Sequence, residues 1–428
     1  MAQRWYPRRV KAVLACLGVI ALAIGLAALA HRIHDQRQQD ALDAFYATPA
    51  DVAALKPGAL IRIEPLPGAA LVGARSFRIL YRTERPNGDA AVSGAMVFVP
   101  TAPAPSGGRP VLAYAHGTLG QGRGCAPSRR DDPLGVNATW LEQAVANGFA
   151  VVATDYAGLG TTGPNLYLVG QAEARDVANS VRALDAVPDA DPGDRWVVFG
   201  HSQGGHSALW TAGQVDRLLP EKQLIGVAAA APAADLPAII ARQWDTGVGW
   251  GVGPEVANSW PHAYPGLDIE SALSGLGRTW GQRVADACLA EGVPVPAVLG
   301  YIAGSIGLPF FDGNPLRDPA IARAADEQSP RPLPATLPIL IAQGTADTVV
   351  PPESTAAIQE AWCRGGADLT MLWMGGVGHV NAATTAAPTV IPWLRALFDG
   401  VHPEPQCAGR PPVPVSASQV LDFLDLSR

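Results

Sequence analysis

One stretch of the chain carries a reactive side chain in a setting that could activate it. Trp196-Val-Val-Phe-Gly-His-Ser-Gln-Gly-Gly205 reads as a buried strand, a G-x-S-x-G turn over Gly200–Gly204, and a helix opening near His206. The short motif alone recurs by chance. A strand before it and a helix after it define a strained turn that lifts the Ser202 hydroxyl to a sheet edge, at a helix N-terminus. Glycines at 200 and 204 let strand and helix approach closely. A serine hydroxyl is a weak nucleophile until a positioned base takes its proton. In this kind of turn the acid and then the base follow the serine along the chain. Pro338-Ile-Leu-Ile-Ala-Gln-Gly344 reads as a buried strand whose loop opens Thr345-Ala-Asp347, and Leu369-Thr-Met-Leu-Trp373 leads into Gly375-Gly-Val-Gly-His379. Asp347 and His379 therefore stand just past successive strand ends. His379 would take the Ser202 proton and return it to a leaving alcohol, while Asp347 would fix the imidazole tautomer.

Rival groups fit less well. His201 and His206 flank the serine and are too local to reach around the turn, so they read as lining or packing groups. Asp368 precedes its strand, and His262 and His402 have no matching strand end. A developing oxyanion needs aimed donors as well. One is the backbone N–H of Gln203, the residue after the nucleophile. The second is assigned to Thr118, with Leu119 as the alternative, in the glycine-bearing loop His116-Gly-Thr-Leu-Gly120 after the strand Val111–Ala115.

The elements that must hold these residues follow a recognisable order. Ser76–Thr83 and Ala91–Val99 flank the turn Pro86-Asn87-Gly88-Asp89 and form a hairpin. Continuous apolar runs then follow at Val111–Ala115, Ala150–Ala153, Trp196–Phe199, Leu224–Ala231, Pro338–Ala342 and Leu369–Trp373, with helical spacing at Trp140–Asn147 and Ala174–Val187. Apolar strands alternating with helices imply a mostly parallel sheet covered on both faces, an α/β fold. The alternation breaks over 232–334, a Gly-, Pro- and Trp-rich stretch too long for a plain loop and read as a mainly helical cap inserted over the strand ends. The expected layout is a leader or anchor at 1–30, a polar helical connector at 31–57, a core over 58–231 and 335–410, the cap between, and a tail at 411–428.

Composition narrows the function. The chain has 428 residues with 48% hydrophobic, 16% charged and a net charge of −7, enough apolar material for a large core. No run of Lys or Arg offers a phosphate-binding stripe, which argues against a nucleic-acid partner. Arg4, Arg8, Arg9 and Lys11 precede an apolar stretch, Ala12–Ala30, that ends in Ala28-Leu29-Ala30. That is either a cleaved signal peptide or a retained membrane anchor, and both export the remainder. The exported protein would be secreted, periplasmic or at the cell surface. Cys125, Cys288, Cys363 and Cys407 lie beyond that stretch, and an even count in an oxidising compartment suggests two disulfides in any of three pairings. No C-x-x-C pair points to a metal.

Taken together, His116-Gly-Thr-Leu-Gly120, Cys125-Ala-Pro-Ser128, Thr154-Asp-Tyr-Ala-Gly-Leu-Gly160, Tyr167-Leu-Val-Gly-Gln-Ala-Glu-Ala-Arg175 and Gly200-His-Ser-Gln-Gly-Gly205 resemble the secretory lipase family of fungal and bacterial α/β-hydrolases. The similarity spans Gly58 to Cys407, and the long apolar N-terminal stretch departs from it. The resemblance implies an α/β-hydrolase fold, a triad of Ser202, Asp347 and His379, and a cap between nucleophile and acid. It also implies disulfides Cys125–Cys288 and Cys363–Cys407, and hydrolysis of carboxylic esters, often triacylglycerols, with no metal or other cofactor. The alternatives are a short-chain esterase or a same-fold peptidase or acyltransferase. A non-catalytic binding module stands last, because no triad member is missing.

Overall fold

Apolar residues at every position of a strand leave it nowhere to lie except between two covered faces, and that constraint builds the centre of this molecule. In the computed structural model, Ala30 and residues 33–289, 295–407 and 411–413 are described. The predicted leader or anchor, apart from Ala30, and residues 414–428 of the predicted tail lie outside the described residues. No helix among the described residues is long and apolar enough to cross a membrane. Residues 33–46 are helical and form one unit; a second begins at Ala47.

The second unit is organised on nine strands: β1 (Leu60–Pro65), β2 (Ala74–Glu84), β3 (Ala90–Pro100), β4 (Arg109–Ala115), β5 (Ala150–Thr154), β6 (Pro192–His201), β7 (Gln223–Ala230), β8 (Ile339–Gly344) and β9 (Leu369–Met374). Their order in the sheet is β1-β2-β3-β5-β4-β6-β7-β8-β9. The first three strands and the β3–β5 pair are antiparallel, and every pair from β5–β4 to β8–β9 is parallel. The β2–β3 hairpin pairs Tyr81 with Ser93 and Glu84 with Ala90, and its turn closes with the Arg85 N–H donating to the Asp89 carbonyl at 2.8 Å. Gly88 sits in that turn at φ +91°, where a side chain would be strained.

Side chains of successive strand residues enter different layers. Val111, Ala113, Trp196, Val198, Ile339 and Ile341 join one buried cluster with Val177 and Leu209, from the helices Gly170–Ala183 and Gln203–Leu218. Leu112, Tyr114, Val197, Phe199, Leu340 and Ala342 join a second with Trp140 and Val390, from the helices Ala138–Ala146 and Ala382–Phe398. Each fully buried aliphatic or aromatic side chain here contributes about 1.5–3 kcal/mol. Both faces are therefore closed, and ligand access is left to the strand ends.

Between β7 and β8 the chain makes a long helical excursion with its own buried cluster. Its helices run over Leu236–Gln243, Gly247–Ala263, Gly275–Ala285, Val295–Ser305 and Pro319–Glu327. Trp250 and Trp260 are fully buried within it, and the Trp250 indole N–H donates to the Leu308 carbonyl at 2.8 Å. Trp280 instead lies open, with the Arg283 guanidinium 4.8 Å from its ring centre. Disulfides join Cys125 to Cys288 and Cys363 to Cys407, with Cα separations of 4.9 and 5.4 Å. The first ties the segment after β4 to the helical insert; the second ties the helix Pro352–Arg364 to the chain after the last helix.

Candidate active site

The turn after β6 is the most constrained point of the backbone. Ser202 adopts φ 57° and ψ −118°, a conformation that L-residues avoid and that costs about 1–3 kcal/mol. The surroundings leave it no alternative. A Cβ at Gly200 would lie 1.9 Å from the Gly204 carbonyl oxygen, and one at Gly204 would lie 1.8 Å from that of Ala115. The Ser202 N–H donates to Ala230 at 2.9 Å, and its carbonyl accepts from His206 and Ala233 at 3.0 and 3.2 Å. The hydroxyl is thereby fixed at the C-terminal edge of the sheet, 8% exposed.

Two further strand ends supply its partners. His379 follows β9 and brings its Nε2 to 2.8 Å from the Ser202 Oγ, while its Nδ1 lies 2.8 Å from Asp347 Oδ2. Asp347 follows β8 and is buried. Its Oδ1 accepts from the Val349 and Val350 amides, each at 2.9 Å, and its Oδ2 also accepts from Gln343 Nε2 at 3.1 Å. A carboxyl group held by four donors is fixed in place, and the His379 Nδ1 carries its hydrogen toward it. That leaves Nε2 free to accept from the serine hydroxyl.

The loop that carries the expected second oxyanion donor runs beside the serine. Gly117, in the loop after β4, lies so near the serine that a Cβ there would be 3.4 Å from Ser202 Cβ. Among the described residues, neither the Thr118 nor the Gln203 amide N–H has a hydrogen-bond partner. The Thr118 hydroxyl is held at 2.8 Å by the buried Tyr167 hydroxyl.

Several supporting groups escaped the sequence reading. Glu173, on the helix Gly170–Ala183, is buried and accepts from the Leu168 amide at 3.1 Å and from Gln203 Nε2 at 2.9 Å. Its other oxygen lies 2.7 Å from His206 Nδ1, and His206 Nε2 lies 2.7 Å from the Gln328 carbonyl. His206 thus packs behind the turn, as expected. His201 does more than line the site. Its Nε2–H donates to the His379 carbonyl at 3.0 Å, with ring centres 4.9 Å apart. Burial first, and the adjacent His379 second, push its pKa down to about 3, so it stays neutral beside the base. No spacing in the sequence announces these contacts; the one available signal was a carboxylate at an otherwise apolar helix position, Glu173. Among the described residues, no group of three or more His, Cys, Asp or Glu side chains is arranged to hold a metal ion.

A mostly parallel sheet with helices on both faces, a strained serine turn after β6, and loops after the last two strands that bring Asp347 and His379 to it are the frame of an α/β-hydrolase, and the family match below gives the lipase and esterase class. The comparisons agree. Candida antarctica lipase A in its closed state superposes with a TM-score of 0.71 at 20% identity, covering 89% of this chain and 93% of that one. A cell-wall-degrading esterase, LipA of Xanthomonas oryzae, superposes at 0.62 with 17% identity, covering 81% of this chain and 99% of that one. The secretory lipase family model matches residues 133–405, and the chain belongs to that family. It is 25% identical to Lipase 10 of Candida albicans over 84% of this chain and 81% of that protein. It is 26% identical to a Mycobacterium tuberculosis protein described as a probable inactive lipase, over 84% and 82%. The protein is a carboxylic-ester hydrolase, and the family together with the two disulfides marks it as exported. Ser202, Asp347 and His379 fall inside the matched stretch, whereas Thr118 and Cys125 precede it.

Proposed function

We propose that Ser202, His379 and Asp347 are the catalytic triad of this hydrolase, with the Gln203 and Thr118 amides as its oxyanion hole. The observation that carries the reading is the continuous hydrogen-bonded chain from Asp347 through His379 to Ser202, with both links at 2.8 Å. Ser202 Oγ attacks the ester carbonyl carbon as its proton passes to His379 Nε2, and the carbonyl π pair moves onto oxygen. Collapse of the tetrahedral adduct breaks the ester C–O bond, and the leaving alkoxide takes the proton from Nε2. Water then attacks the acyl-serine, again giving its proton to His379, and the acid departs as Ser202 recovers its hydrogen. Throughout, Asp347 holds the imidazolium by charge and orientation.

The substrate reading is a water-insoluble lipid ester, with the helical insert over 232–334 acting as the cap. The support is the surface of the helix Val295–Ser305, which turns Leu299 and Ile302 outward at 58% and 49% exposure, beside exposed Val295, Val298 and Tyr301. Contiguous apolar surface of this kind favours contact with an apolar phase. Residues 1–30 are read as a leader removed after Ala30, because Ala28-Leu29-Ala30 offers the small-residue cleavage pattern. N-terminal sequencing of the exported protein tests that point: a start at His31 agrees, and an intact Met1 means an anchor.

Ser202→Ala tests the chemistry. Ester cleavage and fluorophosphonate labelling should vanish while the melting temperature stays close to that of the parent. Unchanged turnover removes the triad. Initial rates across acyl lengths, on dissolved and emulsified esters, separate a lipase from a short-chain esterase, which would lose activity beyond short acyl groups.

A further inference from the structure

Past Thr118, the loop that carries its amide is fastened to the cap. Leu119 and Gln121 spend their main-chain hydrogen bonds on the cap. The Gln121 N–H donates to Ala285 at 2.6 Å, and the Leu289 N–H donates to Leu119 at 2.9 Å. The approach is so close that a Cβ at Gly120 would lie 2.3 Å from the Ala287 carbonyl oxygen, and one at Gly122 would lie 2.3 Å from that of Asp286. The Cys125–Cys288 disulfide closes the far side.

On its other flank the loop meets the cap helix Gly247–Ala263 through the Gln121 side chain and the Gly120 amide. Gln121 Nε2 donates to the Glu255 carbonyl at 3.0 Å and to Ser259 Oγ at 2.8 Å, and Gln121 Oε1 accepts from Asn258 Nδ2 at 3.3 Å. Ser259 passes the link on to the Asn165 carbonyl at 2.8 Å, in the segment that leads to Tyr167 and hence to Thr118. The Glu255 side chain lies in the same gap, 3% exposed, and the Gly120 amide points at its carboxyl group. Burial pushes that carboxyl well above the usual range.

We propose that Gln121 is a positioning residue for the oxyanion hole. It clamps the Thr118 loop to the helix Gly247–Ala263, so this part of the cap is a fixed buttress of the catalytic geometry and not a moving lid. The proposal rests on the reading of Thr118 as an oxyanion donor. It predicts that the clamp acts on the transition state and leaves ground-state binding alone, because the Gln121 side chain is spent on Glu255, Asn258 and Ser259 of the cap helix. A displacement of about 1 Å at such a donor costs up to about 100-fold in rate.

The test uses the full-length exported protein with Gln121→Met, which keeps the volume and deletes the side-chain hydrogen bonds. Ser259→Ala serves as a milder second variant should the first fold poorly. With a dissolved ester, kcat should fall about 10- to 100-fold with KM within twofold. Affinity for a trifluoromethyl ketone, which binds as a tetrahedral adduct, should fall by the same factor, while affinity for an alkyl ether analogue that forms no adduct stays unchanged. Unchanged kcat and ketone affinity in a folded variant overturn the clamp, as does a rise in KM alone. Ser202→Ala measured beside them keeps the two readings apart: an active Ser202→Ala protein sinks the triad, whereas an inactive one with fully active Gln121→Met sinks only the clamp.

Discussion

Asp347→Asn is the sharpest probe of the hydrogen-bonded chain, because the structure dictates what an amide must do there. The carboxylate receives four donors: the Val349 and Val350 amides on Oδ1, and His379 Nδ1 and Gln343 Nε2 on Oδ2. An asparagine has one oxygen and one NH2, so two placements compete. If the oxygen keeps the two backbone amides, the NH2 faces Gln343 Nε2 and His379 Nδ1. The first contact sets donor against donor and costs about 1–3 kcal/mol of stability. The second forces Nδ1 to accept, so Nε2 carries the hydrogen and points it at Ser202, leaving no base. By analogy with other serine triads, kcat should then fall about 10,000-fold, equivalent to about 5 kcal/mol at the barrier. If instead the NH2 turned to the backbone, two amides would lose their acceptor, stability would fall further, and the tautomer would survive. Keeping the backbone pair leaves fewer buried groups unsatisfied, so the expected result is a large loss of kcat with KM within twofold and a modest loss in urea stability. Turnover of a dissolved nitrophenyl ester and equilibrium urea unfolding measure both. A kcat within tenfold of the parent would refute the proposed tautomer control.

Two further outcomes follow from buried groups. Glu173→Ala leaves His206 Nδ1, Gln203 Nε2 and the Leu168 amide without their acceptor, so urea stability should fall by about 3–5 kcal/mol, with Glu173→Gln milder; an unmoved midpoint would contradict the buried network. Burial pushes the Asp176 carboxyl up from 3.8 to about 6, against the hydrogen bonds from the Ala157 amide and the Thr83 hydroxyl. Its folded value is the higher one, so between those limits the folded chain holds a proton that the unfolded chain has released. Its contribution is full below pH 3.8 and is lost as pH rises through about 6. Asp176→Asn should make the change in unfolding free energy from pH 4.5 to pH 6.5 more positive than in the parent, and an identical slope in both proteins would exclude the effect.

The parallel half of the sheet was legible because burial on both faces leaves a continuous apolar run, as in Val111–Ala115, Trp196–Phe199 and Ile339–Ala342. The edge was not. β1 reads Leu-Ile-Arg-Ile-Glu-Pro, half-exposed throughout, and pairs only with β2, so its charged residues look like loop. The insert read as mainly helical, but the bounds of its helices were hidden for another reason. Gly247–Ala263 contains Pro254 and Pro261 and several glycines, which erase the periodicity that marks a helix. It stays helical through tertiary contacts, with Trp250 and Trp260 buried and Trp250 edge-on to Phe310 at 5.3 Å.

The site divides along the same line. Ser202, Asp347 and His379 could be read because each follows a strand whose pattern is visible, so chain order stands in for geometry. Gln121 and Glu255 are 134 residues apart, and Glu173 and His206 are 33 apart; no local pattern relates them until helices pack. Yet the strained serine depends on such contacts. A φ of 57° is held by the glycine approaches at Gly200 and Gly204 together with hydrogen bonds to Ala230, His206 and Ala233, from two segments of chain. Remove that frame and the motif relaxes into an ordinary strand-to-helix turn, with the hydroxyl no longer forced toward His379. The five-residue motif therefore supplies the glycines that let the turn form, while backbone hydrogen bonds to the end of β7 and to the following helix hold it.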